Sequence, residues 1–201
     1  VLIDDLMNLL GKKRMSKQSP QPKKPATSIK TSNKGQTPPP TNMHNSHEYV
    51  DLGLSVKWAT CNVGAVSSRD YGDYFAWGEV EPKSEYTKEN YKYYDEERYK
   101  CMNIGSDISG TKYDVARAKW GGNWRMPTLN ESKELIDKCS WRRRRYGYEV
   151  TGPNGNCIFL PSSRYRDKEG TVDYVCGKYW TSTLGENLNR YSGVLEFWDD
   201  Y

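Results

Sequence analysis

Nine residues toward the C-terminus have side chains suited to holding a ligand without reacting with it. They are Trp180, Glu186, Asn187, Asn189, Arg190, Tyr191, Trp198, Asp199 and Asp200. Amides, a guanidinium and carboxylates make adaptable polar contacts, and Trp and Tyr offer large anchors with few torsions to freeze. An ordinary polar hairpin loop has a similar composition, so the rest of the chain decides how much weight this group bears.

Reactive chemistry is scarce. The only histidines, His44 and His47, precede the expected folded region. That leaves no imidazole there for a Ser-His-Asp or Cys-His arrangement. Cys61, Cys101, Cys139, Cys157 and Cys176 are odd in number, irregularly spaced and lack a CxxC pair. This argues against a full disulfide framework and against zinc. Cys61, Cys139 and Cys157 sit among apolar neighbours and read as small buried hydrophobes. Such usage suits a reducing compartment, with a single native pair left open. Asp95-Glu96-Glu97 lies in a polar stretch and reads as solvated. Gly121-Gly122 lacks the downstream Lys and Ser/Thr of a phosphate loop. Arg142-Arg143-Arg144-Arg145 invites a phosphate reading. Placed just after a helix C-terminus, the run also matches the helix dipole with no ligand. The expectation is a chain with no catalytic residue, metal, cofactor or nucleic-acid partner.

The elements that must position these residues are clearest at 113–135. A short helical pattern runs into Trp120-Gly121-Gly122-Asn123-Trp124, and Arg125-Met126-Pro127 reads as a strand remnant. Thr128 with Glu131 three residues on has the spacing of a capping box, opening a second helix. Val56–Cys61 alternates as a half-buried strand, Asn62–Ala65 is a turn, and Tyr71–Gly78 reads as an aromatic strand bounded by glycines. Glu79–Gly110 is a long Tyr-rich polar excursion, a length usually tied to function or mobility. Tyr148–Thr151 and Cys157–Leu160 flank an Asn-Gly turn, a strong hairpin signal, and Pro161 closes the second strand. Tyr179–Thr183 and Tyr191–Trp198 are two further strands around a polar loop.

Charge divides the chain. Residues 11–47 carry eight basic and no acidic side chains, whereas 48–201 carry 22 basic and 24 acidic ones. Residues 11–47 are also rich in Pro, Ser and Thr, too poor in apolar groups to offset ordering entropy, and read as a disordered basic linker. Residues 1–10, VLIDDLMNLL, form an amphipathic helix pattern too short to stand alone, the expected end of an upstream domain. The folded domain is expected over 48–201. No apolar run is long enough to span a bilayer. Starting at Val1, the chain reads as part of a longer one, with a cytoplasmic location favoured over the cell surface or secretion.

The segments YVDLGLSVKWATCNVGA, YGDYFAWGEVEPK, WGGNWRMPTLNESKEL, GYEVTGPNGNCIFLP and GKYWTSTL together resemble the Fibrobacter succinogenes major paralogous domain family, over most of 48–198. The family is widespread in gut bacteria of the Bacteroides and Prevotella kind. The resemblance implies an α+β, C-type-lectin-like fold: two helices, a small twisted antiparallel sheet and long loops on one side. The family usually continues with a last strand beyond 198 that closes the sheet, so a C-terminally truncated domain is expected. Calcium-dependent lectins hold sugar through Glu-Pro-Asn and Trp-Asn-Asp motifs. Here Glu81-Pro82-Lys83 and Trp198-Asp199-Asp200 supply too few oxygens for calcium. Formylglycine-generating relatives of the fold use a cysteine pair that has no counterpart here. The 1–10 helix is also similar to the last helix of protein-kinase catalytic domains.

Three functional expectations follow. The first is a non-enzymatic recognition module that binds a protein or glycan through the nine residues above. The second is a regulatory or sensing C-terminal domain of a signalling enzyme such as a protein kinase. The third is the variable protein of a diversity-generating retroelement. All rest on Trp58, Trp77, Trp120, Trp124 and Trp180 being pinned together inside.

Overall fold

The computed structural model describes residues 42–95, 97, 100–162, 176–184 and 192–198. These form a mixed α+β architecture of two helices and short antiparallel strands. Strands β1 (Asn42–His44), β2 (His47–Val50) and β3 (Trp58–Ala59) make one sheet, and β4 (Tyr94–Asp95) pairs with β5 (Lys100–Cys101). Helices α1 (Val115–Trp120) and α2 (Leu129–Lys138) follow. Then come β6 (Ser140–Arg144), β7 (Gly147–Thr151) and β8 (Cys157–Pro161) in a second three-stranded sheet, and the hairpin of β9 (Cys176–Leu184) with β10 (Ser192–Trp198). The single sheet that the family resemblance implies is thus divided among four small ones in the described residues.

Both helices start where side chains replace missing intrahelical acceptors. At α2, Thr128 Oγ1 accepts the Glu131 N–H at 3.2 Å and the Glu131 carboxylate accepts the Thr128 N–H at 2.8 Å, the capping box expected from the spacing. Arg125 forks onto the same carboxylate at 2.8 and 2.5 Å and, more than any other neighbour, holds its pKa below the usual range. At α1 the fully buried Asp114 caps the helix through Arg117 N–H at 3.0 Å. Its other oxygen accepts the N–H groups of Gly110 at 2.8 Å and Met126 at 2.9 Å. One carboxylate thereby joins three segments.

Two apolar cores result. Leu52, Leu135, Val150, Ile158, Leu160 and Leu195 centre the first, and Trp77, Ile108, Val115 and Met126 the second. Strand β9 is their shared wall. Successive side chains of a strand point to opposite faces, and accordingly Tyr179 packs on the first core and Trp180 on the second. The cross-strand partner of Tyr179, Leu195, is buried beside it. The turn before β3 is tied to α2 by Glu134, whose carboxylate accepts the Ser55 N–H at 3.2 Å as well as the Ser55 hydroxyl. Lys138 and then Ser55 hold the Glu134 carboxyl at about 2.

Several expectations change. Tyr71–Gly78 is not a strand. Positive φ at Gly72 (74°) and Gly78 (81°) bends it, and it bonds to the neighbouring turn through Asp73 N–H to Val63 O at 2.9 Å rather than to a ladder. Arg125–Pro127 forms no strand either; Met126 N–H goes to the Asp114 side chain. Only Trp58–Ala59 of Val56–Cys61 is paired. The arginine run is not a helix-dipole partner: α2 ends at Lys138, and Arg142–Arg144 lie on β6 beside β7, with Arg144 on Glu149 at 2.7 Å. The tryptophans are not pinned in one place. Trp58 borders the first core, Trp77 and Trp180 belong to the second, and Trp120 and Trp124 meet each other at 5.0 Å elsewhere.

The linker boundary also moves. Residues 42–47, expected to belong to the disordered tail, form β1 and the tight turn into β2. Asn45 and Ser46 take positive φ (49° and 67°), as the common two-residue hairpin turn requires. The histidines are therefore part of the fold. His47 stacks on Trp120 at 4.4 Å, His44 Nε2 accepts the Asn123 N–H at 2.9 Å, and Trp124 Nε1–H donates to the His44 carbonyl at 2.9 Å. Gly122 (φ 56°) lets the imidazole approach, since a Cβ there would lie 2.5 Å from His44 Nε2. The Gly-Gly between the tryptophans thus seats the N-terminal hairpin. Cys61, Cys139 and Cys157 are half-buried free thiols, and burial pushes those of Cys61 and Cys139 up.

Candidate functional site

The end of β9 next to its hairpin loop is tied to three other segments. Ser182 N–H donates to Pro127 O at 2.8 Å, and Ser182 O accepts the Ile108 N–H at 2.9 Å. Leu184 N–H donates to Ser106 O at 2.9 Å, and Thr183 Oγ1 accepts the Leu129 N–H at 3.2 Å. Below them Trp77 Nε1–H donates to Thr181 O at 2.9 Å, and Thr181 Oγ1–H donates across the hairpin to Gly193 O at 2.8 Å. Thr181 and Ser182 are completely buried. Backbone bonds held in dry surroundings open only with the structure around them. The base of the loop at 185–191 is therefore fixed from several sides.

Of the nine residues chosen from sequence, Trp180 is a core residue. Its indole N–H donates to Phe75 O at 2.7 Å and its ring packs on the second core. Trp198 is the last residue of β10 and pairs with Cys176, while Ser192 pairs with Leu184 at the loop end. Six steps of strand separate the two ends by about 20 Å. Glu186, Asn187, Asn189, Arg190, Tyr191, Asp199 and Asp200 lie outside the described residues.

A second group of side chains lies beside the loop base and was not singled out from sequence. The Tyr93 and Tyr113 rings meet edge to face at 5.4 Å, and Tyr91 contacts Tyr93 the same way at 5.8 Å. Lys92 Nζ lies 5.8 Å from the Tyr93 ring centre and Lys112 Nζ 5.1 Å from that of Tyr113. Tyr93 and Tyr113 are half-buried, both lysines are exposed, and Met102 beside them is 46% exposed. The patch reaches the loop base through 104–108. Ile104 and Tyr93 approach each other over Gly78, and Ser106 and Ile108 carry the bonds to Leu184 and Ser182.

The excursion over 79–110 is held in place by Glu79, only 6% exposed. Its carboxylate pairs with Lys83 at 2.6 Å and accepts the Lys92 N–H at 2.7 Å, while Tyr91 O–H donates to Trp77 O at 2.9 Å. Tyr86 donates its hydroxyl to Tyr74 O. Met102 N–H to Tyr93 O at 2.7 Å extends the β4–β5 ladder. Burial, and next the neighbouring Tyr113, pushes the Tyr93 phenol up, so it stays a neutral O–H donor at physiological pH. The described part of the excursion is thus an organised surface, and its length and tyrosine content are the signals for it in the sequence.

Among the described residues no three His, Cys, Asp or Glu side chains converge as metal ligands, and no helix is long and apolar enough to cross a membrane. No protein-family model matches the chain, and comparisons with curated proteins and with solved structures find no match.

Proposed function

We propose that this domain is a non-enzymatic recognition module. In this reading it belongs to the Fibrobacter succinogenes major paralogous domain family, has a C-type-lectin-like scaffold, and binds a protein or glycan at the loop end of the β9–β10 hairpin. The observation that carries the reading is the bonding of Ser182, Thr183 and Leu184 to residues 106, 108, 127 and 129. A loop rooted in buried, fully bonded backbone can change its side chains without disturbing the core. Its ligand then pays less ordering entropy than a loop on a mobile base would impose. Beside it lie half-exposed tyrosines, residues enriched at binding faces because each joins a large ring to a polar tip.

The test replaces residues 185–191 by a Gly/Ser segment of equal length. Both chains are screened on arrays of bacterial and host glycans and of extracellular protein domains. The unaltered chain is expected to retain a small set of ligands, and the replacement to lose them by tenfold or more (about 1.4 kcal/mol or more). Identical profiles for the two chains would remove the loop from the function.

A further inference from the structure

The patch formed by Tyr93 and Tyr113 with Lys92 and Lys112 has a chemistry narrower than general stickiness. The ring contacts engage parts of both tyrosines, yet both remain half-exposed. Among the described residues neither hydroxyl has a hydrogen-bond partner and neither lysine an ion-pair partner. Glu79, the carboxylate whose charge reaches Tyr93, is engaged with Lys83 and the Lys92 N–H. Among the described residues, two ammonium groups therefore stand over two aromatic rings with no carboxylate paired to them.

In the two-stranded ladder here Tyr94 pairs with Cys101, and Tyr93 O accepts the Met102 N–H. What is available is ring face, phenolic O–H and ammonium. A pyranose places C–H groups against an aromatic face and hydroxyls toward its polar edge, and a carboxylate on the sugar ring meets the ammonium groups. We infer that this patch takes an acidic sugar, a hexuronic acid or a similar carboxylated pyranose. This rests on the recognition reading above and specifies its ligand class.

The contacts are few and exposed, so one site binds weakly, with Kd on the order of 1 mM. The part owed to the ammonium groups is screened by salt.

The experiment is a 15N amide-shift titration of the 201-residue chain with trigalacturonate and, separately, with the neutral galactotriose of the same linkage. Trigalacturonate is expected to move the amides of Tyr93, Met102 and Tyr113 and to bind about fivefold to tenfold more tightly than the neutral trimer at about 20 mM salt. That advantage shrinks toward parity at about 0.3 M salt. Lys92→Gln with Lys112→Gln removes the advantage and leaves the neutral affinity unchanged. Both side chains are exposed, so the variant folds. Equal affinity for the two trimers, or shifts absent from these amides, overturns the inference. If trigalacturonate moves only residues 182–184 and 192–194, the recognition surface stands and the acidic-sugar patch falls. If neither trimer binds and the 185–191 replacement leaves the array profile unchanged, both fall.

Discussion

Asp114→Ala lowers the unfolding free energy by about 3 kcal/mol or more, the larger part of a small domain's stability margin. One fully buried carboxylate accepts the Arg117 N–H that starts α1, the Gly110 N–H before it and the Met126 N–H twelve residues on. An N-cap alone is worth about 1 kcal/mol, and a buried donor stripped of its acceptor costs about 1–3 kcal/mol more. Met126 is itself buried in the second core, so water cannot take over its N–H without opening that core. Urea denaturation checks this. Asp114→Asn keeps the geometry but turns one oxygen into a donor, so it is expected to fall between wild type and alanine. A loss below about 1 kcal/mol for the alanine variant would mean that the three segments are joined by something else.

Gly152→Ala has a comparable effect by the opposite route. A methyl there would lie 2.0 Å from Leu52 O and 2.8 Å from both Leu52 C and Cβ. Leu52 is completely buried, and the chain at Asp51 is held by the Asn154 and Asn156 side-chain amides, both at 2.9 Å to Asp51 O. Backbone cannot rotate aside as a flexible side chain does. Either the turn after β7 or the segment entering the first core must shift, at a cost of about 3 kcal/mol. Gly155→Ala in the same turn is the control. Its φ is 85°, but nothing lies within 4 Å of the added methyl. It pays only for the left-handed backbone, about 1–2 kcal/mol. Equal losses at the two glycines would mean that Leu52 does not lie where the clash requires.

These two sites show where local sequence patterns stop informing. The capping box at Thr128 and Glu131 and the hairpin around Asn154-Gly155 are local, and each was visible as a spacing. Asp114 showed nothing unusual in sequence, because two of its three partners are four and twelve residues away. Strands of two residues, as in β3, β4 and β5, are too short for any alternation to register. His44 and His47 read as linker from sequence because the preceding residues are basic and rich in proline. What draws them into the fold is contact with Trp120 and Trp124, more than seventy residues away. The same holds for the candidate surface. The excursion over 79–110 is visible as an unusually long Tyr-rich stretch, but not that Tyr93 meets Tyr113 near the end of β9. Trp180 reads from sequence both as a ligand contact and as a ring held inside, and strand alternation turns that ring toward the second core.

Ligand binding at the loop end of β9–β10 requires the strand ends there to form a rigid base. Native-state hydrogen exchange tests this most directly. The amides of Ile108, Ser182 and Leu184 are expected to exchange only with global unfolding, as slowly as Leu135 and Val150 in the first core. Exchange at those three amides a hundredfold or more faster than in the core would show that this end opens by itself (about 2.7 kcal/mol below the global value). That result would contradict the recognition surface proposed on it.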